Sequence, residues 1–328
     1  MNIAVLGDGG WGTTLAILLY RKGCHVTLWG AFAEYSEYLD RKRINKKFLP
    51  GVRIPKGILI TANLSEALDG AQIIILAVPT QYMRQVLKRI DVQDARGRIL
   101  LSVAKGIENA TLMRPSQIIK YVLGNVKVVV LSGPSIASEV AAGLPTTAVV
   151  SSNNQGIAKK LQEMLSTKTF RVYTNNDVVG VELGGSLKNI IAIACGASDG
   201  LGFGANAKAA LLARGLSEMT RLGRRLGAKE KTFAGISGLG DLVTTCISPY
   251  SRNRFVGEEV GKGKNIKKVI RKMEMVAEGI DTTKSVYQLS RRYNVDMPIT
   301  KEVYSILYKH KSPLKAVKDL MRREKKEE

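Results

Sequence analysis

Short apolar runs punctuate the first half of the chain at residues 2–6, 25–29, 58–60, 73–78, 99–103, 126–131 and 147–150. Stretches with a helical repeat, such as 82–90 and 115–122, separate them. Continuous apolar strands alternating with amphipathic helices are the pattern of a parallel sheet covered on both faces. Residues 1–180 are therefore expected to form a doubly wound α/β domain, with ligands at the carboxyl ends of its strands. From about Asp177 the pattern changes to long helical periods, 181–197 and 207–226, and no further strand run follows. Residues 181–328 are expected to form a mostly α-helical C-terminal domain. A helix beginning near Asp177 should join the two and bring its polar residues beside the ligand cleft.

The opening strand runs directly into Gly7-Asp8-Gly9-Gly10-Trp11-Gly12, then a helix with apolar Leu15, Ala16, Leu18 and Leu19, then a second strand. A Gly-x-Gly-x-x-Gly turn in this context is the opening of a Rossmann-type, dinucleotide-binding domain. Gly7 permits the tight turn, Gly9 lets backbone amides approach a pyrophosphate, and Gly12 allows close helix packing. The helix N-terminus then faces the anion.

Composition narrows the remaining classes. An apolar fraction of 45% over 328 residues supports two ordinary domains. The net charge of +22 is spread, with 22 basic and 12 acidic side chains in residues 1–180 and 28 and 16 in residues 181–328. A diffuse excess attracts small anions, and no basic-aromatic stripe or nucleic-acid motif accompanies it, so no nucleic-acid partner is expected. Cys24, Cys195 and Cys246 form neither a CxxC pair nor an even framework, as in a reduced cytoplasmic protein. No signal-peptide pattern is present, and no apolar run approaches the roughly 20 residues of a membrane span. The tail from Arg322 to Glu328 is mixed in sign and reads as a frayed helix end.

Four patches set polar groups in glycine-rich or apolar surroundings. Ser102-Val103-Ala104-Lys105-Gly106 ends a strand with a cation, which is either solvated or set against a bound anion. Leu131-Ser132-Gly133-Pro134-Ser135-Ile136-Ala137 is a second strand-to-turn junction, either structural or presenting amides to a ligand. Within the linking helix, Glu182-Leu183-Gly184-Gly185-Ser186-Leu187-Lys188-Asn189 places two glycines that cost about 1 kcal/mol each, so close packing must offset them. Lys188 there either snorkels or sits desolvated among Leu187, Ile190 and Ile191, where burial lowers an amine's pKa. The stretch from Ser237 to Arg254 holds Asp241, Thr245, Ser251, Arg252 and Asn253. This is a set suited to a phosphate rather than a metal, unless it is simply a solvated loop. No metal-ligand spacing is present, and His25 and His310, the only histidines, are poorly placed as acids. Lysine is left as the best proton donor to a carbonyl becoming an alkoxide.

Taken in order, these motifs resemble the bacterial NAD(P)-dependent glycerol-3-phosphate dehydrogenases over almost the whole chain. The resemblance implies reversible reduction of dihydroxyacetone phosphate to sn-glycerol 3-phosphate by NAD(P)H, for phospholipid synthesis; separately, the apolar second domain could support a homodimer. The resemblance implies that Lys188 exchanges the proton, that Lys105 touches cofactor and substrate, and that Asn189, Asp241 and Thr245 shape the reacting centre. It further implies substrate contacts at Gly133, Ser135, Ser251, Arg252 and Asn253. Cofactor contacts are implied at Gly10, Trp11, Ala137, Arg252, Val276 and Glu278, beside Gly7, Gly9 and Gly12. The residues alone would not have selected Val276 or Glu278. One departure stands out: after the second strand the chain reads Trp29-Gly30-Ala31-Phe32-Ala33-Glu34, with no basic side chain for a 2′-phosphate and only Glu34 as a nearby acid. Preference between NADH and NADPH stays open. Another two-domain dehydrogenase, of 3-hydroxyacid or 6-phosphogluconate type, and a sensor that binds NAD(P) without turnover are the competing readings.

Overall fold

A computed structural model describes residues 1–325 and 327, so residues 326 and 328 of the mixed-charge tail lie outside it. The chain forms two compact units. The first comprises residues 1–105 and 113–182, and the second residues 106–112 and 183–328.

The first unit is built on one eight-stranded sheet: β1 (Asn2–Leu6), β2 (His25–Trp29), β3 (Leu59–Thr61), β4 (Ile73–Leu76), β5 (Ile99–Ser102), β6 (Lys127–Ser132), β7 (Thr146–Ser151) and β8 (Phe170–Asn175). The spatial order is β3-β2-β1-β4-β5-β6-β7-β8. Alternation along β1 sorts its side chains to two cores. Ile3 and Val5 join Leu15 and Leu19 of the helix Gly10–Arg21, whereas Ala4 and Leu6 join Met83, Leu87 and Ile118 on the opposite face. Strands buried on both faces explain why their sequences are apolar without alternation. The strand order reverses about β1, which places the exits of β1 and β4 side by side at the switch point where such sheets bind ligands.

Two features of the sheet differ from the sequence expectation. The parallel sheet carries one antiparallel junction, between β6 and β7, with β8 parallel to β7. Strand β8 was not foreseen, because Phe-Arg-Val-Tyr-Thr-Asn alternates buried with exposed positions at the sheet's rim.

The second unit is helical, with no strand among its described residues. Its long helix, Val178–Gly200, starts in the first unit, where Asp177 Oδ1 accepts the Gly180 N–H at 2.9 Å. By length and composition this helix meets the criterion for a membrane span, contrary to expectation. It has 23 residues and a mean hydropathy of 1.5, but 83% of its apolar stretch is buried in the fold. A count of unbroken apolar residues misses it because glycines, Ser186, Lys188 and Asn189 interrupt the run. It is a core helix. Its glycines are close-approach sites: a Cβ on Gly184 would overlap Ser237 O, and one on Gly196 would overlap Arg254 O. Reciprocally, a Cβ on Gly257, in the helix Arg252–Gly261, would overlap Ile193 O. Contact between two helix backbones is what offsets the intrinsic cost of glycine in a helix.

Candidate active site

In the first unit the turn after β1 has the geometry a dinucleotide requires. Gly7 has φ +124°, and a Cβ there would lie 2.7 Å from Ala77 C and O at the exit of β4. Gly12 packs so closely that a Cβ would overlap Gly7 O, whereas a Cβ on Gly9 would meet nothing within 4 Å. The helix Gly10–Arg21 has no side-chain cap and no acid in its first turn. An open approach at Gly9 beside uncapped amides fits a pyrophosphate. Gly10 lies against Phe48 O and Ala137, Thr14 Oγ1 donates to Ala137 O at 3.1 Å, and the half-buried Trp11 ring lies 6.2 Å from that of Phe170.

The exits of β5 and β6 meet at Lys105. Its Nζ donates to Gly133 O at 2.8 Å and to Ser135 Oγ at 3.4 Å, and Ser135 Oγ donates to Gly133 O at 2.9 Å. Gly133 holds φ +132°, so the turn that presents this carbonyl favours glycine. Lys105, after β5, thus reaches across to the turn after β6 that carries Gly133, Ser135 and Ala137.

Asp8, which carried no role in the sequence reading, is an exception to ordinary packing. Its Oδ2 is buried and accepts no hydrogen bond, and burial pushes its pKa up to about 6 although Lys47 draws it down. A carboxyl whose folded pKa exceeds the ordinary value of 3.8 favours the folded state in its neutral form. Its contribution is lost as pH rises from about 4 through about 6. Asp8→Asn is accordingly expected to raise unfolding stability of the ligand-free protein at pH 7 by up to about 3 kcal/mol, with little change at pH 4. Denaturant melts at the two pH values check this, and equal stability of the two proteins at pH 7 contradicts it.

In the second unit, Lys188 and Asp241 form an ion pair with both side chains almost wholly buried. Lys188 Nζ also donates to Thr245 Oγ1 at 2.7 Å, and that hydroxyl donates to Asp241 O at 2.7 Å. The pair adds what the sequence did not show, since a carboxylate favours the charged amine and so opposes burial. Asp241 and Thr245 belong to the helix Asp241–Ile247, which follows a π-helical turn, Ile236–Gly240, a local form frequent at functional sites. The neighbouring Cys246 is buried. Its hydrogen bond with Cys195 and its burial hold its thiol well above the usual range.

Ser251, Arg252 and Asn253 fall at the start of the helix Arg252–Gly261, where Ser251 Oγ accepts the Arg254 N–H at 3.2 Å. Arg252 Nη1 donates to Val276 O at 2.8 Å, and Asn253 Oδ1 accepts the Gly279 N–H at 3.0 Å. A Cβ on Gly279 would also meet Asn189 O at 2.9 Å. These contacts gather Asn189, Arg252, Asn253, Val276 and Glu278, the last opening the helix Glu278–Arg292. Local sequence gave no sign of the last two because the turn that brings them in is made by backbone groups. Among the described residues, no group of three or more His, Cys, Asp or Glu side chains could hold a metal ion.

A glycine turn at the switch point of a doubly wound sheet, with a buried lysine–carboxylate–hydroxyl set on a helical unit, defines an NAD(P)-dependent oxidoreductase. Comparison with known proteins narrows this. Residues 2–158 match the model of the NAD-dependent glycerol-3-phosphate dehydrogenase N-terminus, and residues 177–318 that of its C-terminus. The chain is 49% identical over 331 aligned positions to glycerol-3-phosphate dehydrogenase [NAD(P)+] of Pelodictyon phaeoclathratiforme, covering 100% of this chain and 99% of that one. It is 50% identical to the enzyme of the same name from Geobacillus kaustophilus, with 100% and 96% covered. The crystal structure of glycerol-3-phosphate dehydrogenase from Coxiella burnetii superposes with a TM-score of 0.94 at 39% identity, covering 98% of this chain and 99% of that one. The chain belongs to the NAD-dependent glycerol-3-phosphate dehydrogenase family.

Proposed function

We propose that Lys188 exchanges the proton in the reaction of this family, the reversible NAD(P)H-dependent reduction of dihydroxyacetone phosphate to sn-glycerol 3-phosphate, which feeds glycerophospholipid synthesis. The observation that carries this is the buried Lys188, held by Asp241 and Thr245. The nicotinamide, when bound, supplies the hydride to the ketone carbon. Lys188 supplies the proton to the carbonyl oxygen as negative charge develops there, and takes it back in the oxidative direction. Asp241 and Thr245 fix the direction of the ammonium, and Asn189 lies next to it on the same helix. The substrate phosphate is a non-reacting handle for Arg252, Ser251 and Asn253, and its binding orients the ketone. Lys105 contacts both ligands, and Gly133 and Ser135 contact the substrate.

In this reading residues 1–180 bind the dinucleotide and residues 181–328 the substrate, and the protein works in the cytoplasm as a homodimer. Nicotinamide absorbance, followed with dihydroxyacetone phosphate and each reduced nucleotide in turn, is the test. Rapid loss of absorbance is expected. Turnover of a carboxylated substrate such as 6-phosphogluconate, with none of the phosphorylated ketone, would overturn the reading.

A further inference from the structure

The end of β2 is where dinucleotide folds commonly place an acid that holds the adenosine ribose. Here that position is Gly30, and the space its missing side chain leaves is used. A Cβ on Gly30 would overlap Asp8 Oδ2 and lie 2.6 Å from Ser36 Oγ. Both oxygens are buried, and neither makes a hydrogen bond. Two such atoms around one niche are costly, and native proteins leave them where another group completes the bonding. The backbone behind Asp8 is fixed from two sides. Asn45 Nδ2 donates to Asp8 O at 2.7 Å and to Thr13 Oγ1 at 2.8 Å, and Tyr35 holds Asn45 Oδ1 at 2.7 Å. A cavity of about 390 Å³ adjoins the niche through Ser36, with Ile60 and Ala62 among its apolar walls and Glu37 and Asp40 on its rim.

We propose that Asp8, assisted by Ser36, binds the 2′,3′-diol of the adenosine ribose and makes this chain selective for NADH over NADPH. The acid comes from the glycine turn rather than from β2, and Gly30 makes room for it. A vicinal diol donates two hydroxyl protons toward oxygens that lack donors. A 2′-phosphate brings no proton at neutral pH and sets its charge against the Asp8 carboxylate, with Glu37 adding to the repulsion, while Asp40 is ion-paired to Arg43. The assignment rests on the dehydrogenase reading, since it presumes a dinucleotide in the glycine turn.

Equilibrium fluorescence titration of the full chain with NADH, NADPH and NADH lacking the ribose 2′-hydroxyl tests it. The wild type is expected to bind NADH about tenfold or more tighter than either other nucleotide. Asp8→Asn should weaken NADH binding by about tenfold and abolish most of the distinction among the three ligands. Ser36→Ala should weaken NADH binding by a smaller factor, and Gly30→Ala, which fills the niche, by about as much as Asp8→Asn. The proposal is overturned if the wild type binds NADPH as tightly as NADH, or if Asp8→Asn and Gly30→Ala both keep the wild-type ratios. Should the ratios behave as stated while dihydroxyacetone phosphate is not reduced, the ribose site stands and the reaction assignment falls.

Discussion

Lys188→Ala is expected to lower kcat by about 100- to 10,000-fold in both directions while leaving the Kd for reduced nucleotide unchanged. The asymmetry follows from where the ammonium sits. It is bound to Asp241 and Thr245 and belongs to the helical unit, whereas the glycine turn proposed for the pyrophosphate belongs to the first unit. Truncation also strands the Asp241 carboxylate, and breaking a buried pair from one side costs about 3–5 kcal/mol. A lost-stability explanation must therefore be separated from a lost-proton one. The double variant Lys188→Ala with Asp241→Asn removes the stranded charge and should recover much of the stability but none of the turnover. Thermal melts and steady-state rates on both proteins make the distinction. Near-wild-type turnover in a folded Lys188→Ala protein would end the assignment.

Glu182→Ala is expected to lower stability by about 3–5 kcal/mol. Its side chain is 1% exposed and ion-paired to Arg114. It also accepts the Ser116 N–H at 2.7 Å and the Ser116 hydroxyl at 2.6 Å. Alanine would leave the first turn of the helix Pro115–Leu123 and a guanidinium without their acceptor. Glu182→Gln keeps an oxygen for Ser116 N–H and loses the charge, so its loss should be clearly smaller. Urea midpoints rank the three proteins, and an alanine variant within 1 kcal/mol of wild type would show that water replaces the carboxylate freely.

How far the sequence can be read depends on whether a feature is local. The first strand, glycine turn and helix are legible because each glycine does one thing within thirty residues. Lys188 is legible because two helix glycines and three apolar neighbours surround it. Its partner Asp241 stood in a separate patch of the sequence, and only the fold pairs them. Residues 106–112, which belong to the second unit, have no periodic pattern to signal it; Ser285 Oγ donates to Ile107 O at 3.0 Å, a contact between distant segments. Strand β8 alternates at a rim and so lacks the continuous apolar run that marks the others. Asp8 is hidden for the opposite reason. It stands inside the most recognisable motif in the chain, at a position between glycines where nothing local distinguishes it.

The two ends of the sheet bear on how the protein behaves when crowded. An exposed strand border is a template on which a second chain can polymerise. At one end β3 is only three residues long, too short to seed such growth. At the other, β8 turns Arg171 and Tyr173 outward, with the guanidinium 5.1 Å from the ring centroid, a charged and bulky border that discourages in-register addition. The sheet is thus guarded against aggregation at both borders. Orderly self-association would then use a surface other than a shared β-ladder, and solubility at high concentration should depend on Arg171 more than on any change in the active site.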